Sequence, residues 1–178
     1  MKLSCFTGGF VQTNGYLLET VGGNVLVDAP EGVADWLVER GVRVDEVLLT
    51  HQHYDHVMDV AALRATGARV RAFAGYSREL TLETLARGSG MEFELAHVPG
   101  HSMDSVTFYL ASAGLVFSGD TLFAGSIGRC DLPGGSMEQL LDGIGAHLLE
   151  LPDGTRVLPG HGGESTIGRE KRENPYLG

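Results

Sequence analysis

The stretch Val47-Leu48-Leu49-Thr50-His51-Gln52-His53-Tyr54-Asp55-His56 places four metal-competent side chains within six residues, directly behind an apolar run. The apolar run reads as a buried strand, and the histidines begin where it ends. His51 and His53 stand two residues apart, so an extended or turning backbone points both rings the same way. Asp55 and His56 follow at the entry to a helix read from Val57, which sets a second pair of ligands beside the first. Imidazole with carboxylate, and no thiolate in the run, suits zinc, iron or manganese. A lone His-x-His is an ordinary polar loop, but four such groups together are far harder to obtain by accident.

Working outward, three more strand ends repeat the same arrangement. Val98-Pro99-Gly100 leads to His101, Leu115-Val116-Phe117-Ser118-Gly119 leads to Asp120, and Val157-Leu158-Pro159-Gly160 leads to His161. Four strands that each deliver His or Asp from a terminal loop are predicted to converge on one edge of a sheet, a rigid support for functional loops. The set holds five His and two Asp, too many for one tetrahedral ion. It suits two ions about 3.5–4 Å apart with one carboxylate shared between them. Of the seven histidines, two fall outside this pattern. His97 lies within a strand and reads as a core or supporting ring; His147 lies in a helix and reads as a surface residue.

A chain of 178 residues has the length of one domain, so 1–178 is expected to form a single one. With 43% hydrophobic and 20% charged residues it is globular rather than disordered. The net charge of −10 repels phosphate backbones and disfavours a general nucleic-acid binder. No apolar window has the ~18 residues of a membrane-spanning helix. Two cysteines, Cys5 and Cys130, make no disulfide framework and point to a reducing, cytoplasmic setting. Met1-Lys2-Leu3-Ser4-Cys5 lacks the apolar region of a lipoprotein signal and reads as a first strand.

Strands are expected at Tyr16 to Thr20 and Val25 to Asp28, a hairpin about Gly22-Gly23. Others are expected at Val47 to Thr50, Val70 to Phe73, Phe93 to Val98, Val106 to Leu110, Leu115 to Phe117 and Arg156 to Leu158. Helical spacing appears at Val33 to Arg40, Val57 to Ala65, Arg78 to Arg87, Met137 to Leu149 and Ile167 to Glu173, with Ser136 a cap for the fourth. Short strands interleaved with helices predict an α/β (α+β) domain of layered sheets and outer helices.

These motifs resemble the metallo-β-lactamase fold superfamily. The resemblance rests on Thr50 to His56, Pro99-Gly100-His101-Ser102, Ser118-Gly119-Asp120-Thr121-Leu122-Phe123 and Pro159-Gly160-His161-Gly162, and runs from about Thr13 to Pro175. It implies a four-layer αββα sandwich, two mixed sheets with helices outside and metals at one edge. Gly128-Arg129-Cys130-Asp131-Leu132-Pro133 and the tail from Ser165 to Leu177 are similar to the glyoxalase II group, in its short, single-domain form. By that resemblance His51, His53 and His101 hold one metal, Asp55, His56 and His161 hold the second, and Asp120 bridges them. Zinc is the metal this implies, with iron and manganese as alternatives. The chain departs from longer glyoxalase II enzymes by ending where their helical domain begins. Ser102-Met103-Asp104-Ser105 also stands where their motif carries another His, and the stretch between His56 and His101 is lean.

The implied activity is hydrolysis of a glutathione-type thioester by a metal-activated hydroxide, with Asp55 and Asp120 as catalytic carboxylates. The implied substrate is an anionic glutathione conjugate. Arg129 is the candidate for binding its carboxylate, because guanidinium is a planar two-toothed donor; the alternative is an Arg tied up in an internal ion pair. Cys130 lies beside Arg129 but has no adjacent cationic cluster or predicted helix N-terminus to mark a nucleophile. Arg169, Lys171 and Arg172 read as a solvated helix face interleaved with Glu170 and Glu173. Two alternatives share the same ligand pattern: a mononuclear-iron persulfide dioxygenase using His51, His101 and Asp120, and another hydrolase of the fold acting on a lactone or β-lactam.

Overall fold

The computed structural model describes residues 1–73 and 91–178. The chain divides into two compact units, Met1–Glu92 and Phe93–Gly178, each built on a five-stranded mixed sheet. The helix expected over Arg78 to Arg87 lies outside the described residues.

In the first unit β1 (Lys2–Gly8), β2 (Thr13–Thr20), β3 (Gly23–Val27), β4 (Glu46–Leu49) and β5 (Arg69–Ala72) hydrogen-bond in chain order. β1, β2 and β3 pair antiparallel, and Thr20 faces Gly23 at the expected hairpin turn. β4 is parallel to both its neighbours. Parallel neighbours need crossover connections, and helices fill them: α1 (Val33–Glu39) between β3 and β4, then α2 (Tyr54–Val57) and α3 (Val60–Ala65) between β4 and β5. A strand flanked on both edges and covered by crossover helices is buried throughout, which explains the unbroken Val47-Leu48-Leu49 run. Val47 and Leu49 pack with Leu17, Leu26, Val33, Leu37 and Leu63. The buried Glu46 is paired with Arg71 on β5.

The helix expected over Val57 to Ala65 is two helices, broken at Met58-Asp59. Asp59 explains the break. Its carboxylate accepts the Ala34 N–H (2.8 Å) in the first turn of α1, and its own N–H donates to the Ala29 carbonyl (3.1 Å). The residue is held by groups outside the helix it would otherwise continue.

The second unit has β6 (Glu94–His97), β7 (Val106–Leu110), β8 (Leu115–Gly119), β11 (Arg156–Pro159) and β12 (Ser165–Thr166), ordered β12-β11-β8-β7-β6. A separate hairpin, β9 (Leu122–Phe123) with β10 (Ser126–Ile127), was not expected from the sequence. β8 and β11 are parallel, while β6 and β8 each run antiparallel to β7. β6, β8 and β11 therefore point the same way, and their carboxyl ends share one edge of the sheet. α4 (Met137–Gly143) begins at the expected cap, with Ser136 Oγ accepting the Gln139 N–H, a contact worth ~1 kcal/mol. It continues as a π-helical turn, Ile144–Leu148, with His147 exposed as expected. α5 (Ile167–Glu173) closes the chain, capped by Thr166 Oγ1. Cys5 lies exposed on β1, and no helix among the described residues is long and apolar enough to cross a membrane.

Candidate metal centre

In the first unit the four candidate ligands follow the carboxyl end of β4, the edge at which parallel sheets carry their sites. His51 and His56 are buried, whereas His53 and Asp55 are half-buried. His51 Nε2 lies 3.1 Å from His53 Nδ1, and His56 Nε2 lies 3.3 Å from Asp55 Oδ2. The His51 and His56 rings stand 4.1 Å apart between centroids.

Asp28, at the end of β3, governs how these rings are oriented. Its Oδ1 accepts the Thr50 N–H (2.8 Å) and its Oδ2 accepts the Thr50 hydroxyl (2.8 Å) and His56 Nδ1–H (2.9 Å). With its proton given to Asp28, the Thr50 oxygen is left to accept His51 Nδ1–H (3.1 Å). Both rings are thereby fixed in the tautomer whose Nε2 is a lone pair. Asp28 is buried and adopts φ 60°, a left-handed conformation that Asp tolerates better than most residues. On the other side, the buried Thr13 donates its hydroxyl to Asp55 Oδ2 (2.7 Å).

In the second unit the three remaining candidate ligands sit at the shared edge of β6, β8 and β11. The register of the parallel pair sets Pro159 opposite Gly119, and Gly160 N–H donates to the Gly119 carbonyl (2.9 Å). His161 and Asp120 consequently leave adjacent strands side by side. Asp120 Oδ2 lies 3.5 Å from His101 Nε2 and 3.4 Å from His161 Nε2. His101 Nδ1–H donates to the Arg129 carbonyl (2.9 Å), which again leaves Nε2 as a lone pair. Glycine is required beside this cluster: a Cβ on Gly128 would come within 1.9 Å of the Asp120 carbonyl oxygen and 3.1 Å of His101 Cβ.

These spacings fit a metal. Two ligands each 2.0–2.1 Å from a tetrahedral ion are separated by about 3.3 Å. The Nε2–carboxylate distances of 3.3, 3.4 and 3.5 Å match that edge. A lone pair aimed at a carboxylate oxygen is repulsive, and a cation between them reverses the sign. Metal-ligating histidines almost always donate their other ring N–H to a carboxylate, carbonyl or water, as His56 and His101 do.

The other expected residues separate clearly. Arg129 is exposed, and its guanidinium makes two 2.7 Å hydrogen bonds to Asp131. That bonding, with a smaller Coulomb contribution, holds the Asp131 carboxyl down at about 2. It is the backbone of Arg129, rather than its side chain, that touches His101. Burial pushes the Cys130 thiol up, and the Asp131 charge adds to this, the reverse of an activated nucleophile. His97 is exposed rather than in the core, and donates Nε2–H to the Met103 carbonyl (2.8 Å). Arg169, Lys171 and Arg172 are exposed as expected, but Glu170 is not; it is buried in the second unit.

Asp28 and Thr13 escaped the sequence reading. A usable signal existed for Asp28, since Val25-Leu26-Val27-Asp28 repeats the pattern of an apolar strand followed by Asp seen before Asp120. Thr13 carries no such mark, because its contact with Asp55 joins residues far apart in sequence.

Comparison with known proteins places this geometry in context. A model described as the Metallo-beta-lactamase superfamily matches residues 8–81 and 76–161. "Probable metallo-hydrolase YqgX" of Bacillus subtilis is 33% identical, over 99% of this chain and 98% of that protein. "Hydroxyacylglutathione hydrolase GloC" of Haemophilus influenzae is 31% identical, over 86% of this chain and 87% of its own. Among solved structures, the BLEG-1 B3 metallo-beta-lactamase superposes with TM-score 0.85 at 33% identity, covering 99% of each chain. TTHA1623 in a di-iron-bound form gives 0.81 at 38%, covering 98% of this chain and 100% of that one. ETHE1 from Myxococcus xanthus gives 0.84 at 29%, covering 98% and 84%.

Proposed function

Because the chain belongs to the metallo-β-lactamase superfamily, whose fold binds two divalent ions, we propose that it is a metal-dependent hydrolase of glutathione-type thioesters. The observation that carries the metal chemistry is the tautomer control: His51, His56 and His101 each have Nδ1 engaged and Nε2 left as a ligand lone pair. His51, His53 and His101 would hold one ion, Asp55, His56 and His161 the other, with Asp120 shared between them. Zinc is the metal proposed, and the di-iron form of TTHA1623 supports iron as the alternative.

Two such ions would lower the pKa of a bound water toward ~7 and polarise a carbonyl oxygen. Asp55 orients the attacking water through one carboxylate oxygen, while Thr13 holds the other end of that geometry at Oδ2. A departing thiol has a pKa near ~8.5, so it leaves without a general acid, and none is needed from Cys130 or His97. GloC supports the thioester reading. A glutathione carboxylate reaching Arg129 would exchange with Asp131 for the guanidinium, one planar two-toothed contact for another. We place this activity in the cytoplasm.

The test pairs elemental analysis of the purified protein with assays on S-lactoylglutathione, glutathione persulfide and a β-lactam panel. The expected result is about two divalent equivalents and turnover of the thioester. One iron per chain with oxygen consumed on the persulfide would replace the hydrolase by a dioxygenase, and turnover of the lactams alone would move the substrate to that class.

A further inference from the structure

Glu170 is a carboxylate that the reaction does not use, yet it is 1% exposed. Its neighbours on α5, Arg169 and Lys171, face solvent. Burying a carboxylate is costly unless its oxygens are hydrogen-bonded, and this one is saturated with neutral donors. Oε1 accepts the Ser165 hydroxyl. Oε2 accepts the Gly125 N–H (2.8 Å) and Asn174 Nδ2 (2.8 Å). Asn174 Nδ2 also donates to the Ser126 carbonyl (3.0 Å).

Gly125 lies in the turn between β9 and β10 and Ser126 opens β10, and the three candidate ligands of the second unit lie beside that hairpin or its flanks. Asp120 lies at its entrance, two residues before Leu122. Arg129 lies at its exit and offers the carbonyl that fixes the His101 tautomer. Phe123, on β9, meets the His161 ring edge-on, with centroids 6.2 Å apart. The α5 helix is thus tied by one buried side chain to the turn of the hairpin that frames the ligands.

We propose that Glu170, with Asn174, is a positioning residue for the Asp120–His101–His161 cluster, acting through Gly125 and Ser126 at the tip of the β9–β10 hairpin. The inference rests on the metal-centre reading above and adds a role to a residue outside the ligand set. The two ends of the β9–β10 hairpin must be held so that Asp120 Oδ2 and His101 Nε2 keep their spacing. The hydrogen bonds from the turn to Glu170 and Asn174 supply that restraint.

The experiment compares wild type, Glu170→Ala, Glu170→Gln and Asn174→Ala by zinc affinity in chelator competition, by the visible spectrum of the Co(II)-substituted protein and by Tm. Glu170→Ala is expected to weaken metal affinity ~10–100-fold and to alter the Co(II) spectrum. Glu170→Gln keeps an oxygen for Gly125 and Asn174 and turns its NH2 toward Ser165 Oγ, so wild-type affinity and spectrum are expected. Asn174→Ala should shift both readouts in the direction of Glu170→Ala by a smaller factor, and carries the test if Glu170→Ala fails to fold. A lowered Tm with unchanged affinity and spectrum overturns the positioning role, leaving Glu170 a packing residue. Glu170→Gln behaving like Glu170→Ala overturns the hydrogen-bond account. Wild type that takes up neither zinc nor cobalt overturns the metal centre and this proposal together, whereas normal uptake by wild type and all variants sinks only the proposal.

Discussion

The two halves of the ligand set are built in opposite ways. In the first unit four candidate ligands come from one short run after β4 that passes into α2, and the orientation of two rings depends on one distant side chain, Asp28. In the second unit three ligands come from three strand ends, and His101 is oriented by a backbone carbonyl, that of Arg129. A compact run is cheap to encode, but its side chains need a separate carboxylate to fix their tautomers. Scattered ligands need a sheet in register, and once the register exists the main chain itself supplies the orienting acceptor.

The largest effect that probes this contrast falls on the shared carboxylate. Asp120→Asn should reduce metal stoichiometry and lower kcat/KM by more than the ~100-fold that marks the upper range for outer-sphere changes. Full activity with normal metal content would remove Asp120 from its bridging role. Next comes Asp28→Ala, which leaves every ligand in place but releases the His51 and His56 tautomers; metal affinity should fall ~10–100-fold, measured by chelator competition. Thr13→Val removes one hydroxyl donor from Asp55, a charge-assisted hydrogen bond worth ~1.5–3 kcal/mol. A drop of about 10-fold or more in kcat is expected on that scale, with Thr13→Ser restoring most of it.

Arg129→Ala probes the second unit, where the main chain does the orienting. Because the carbonyl rather than the guanidinium orients His101, metal content should be unchanged. KM should rise more for an acidic thioester than for a neutral one; equal changes for both would exclude the carboxylate contact. The smallest effect is a titration. The Arg129 hydrogen bond, aided by one from its own backbone N–H, depresses the Asp131 carboxyl to about 2 from 3.8. A depressed acid contributes stability above its unfolded-state value and loses it as pH falls through the folded one, here between about 3.8 and 2. The pair is exposed, so its effect on overall stability is slight. Carbon-13 NMR of the Asp131 carboxyl should nonetheless show its midpoint rising toward the ordinary value in Arg129→Ala.

Much of the fold was legible because its strands are punctuated. The runs at 47–49, 115–117 and 157–158 are apolar, short and closed by Gly, Thr or Pro, and each became a strand with a ligand behind it. The break between α2 and α3 was not legible, since Asp59 is held by Ala34 and Ala29, whose proximity no local window reveals. The β9–β10 hairpin was missed for a related reason. Its strands are two residues long and are held by Glu170 and Asn174, more than forty residues later.

By itself, then, the sequence determined the candidate ligands, the strand ends that carry them and the family to which the chain belongs. Those properties depend on residue type at close spacing, where chemistry and chain geometry are read together. Tertiary structure alone decided the tautomers of His51, His56 and His101, the burial of Glu170 and the pairing of Arg129 with Asp131. Which nitrogen carries a proton, or which carboxylate leaves water, depends on the acceptors and donors that folding brings alongside. His51 to His56 names the candidate metal ligands; Asp28, out of sight of that run, sets the tautomer in which His51 and His56 could bind.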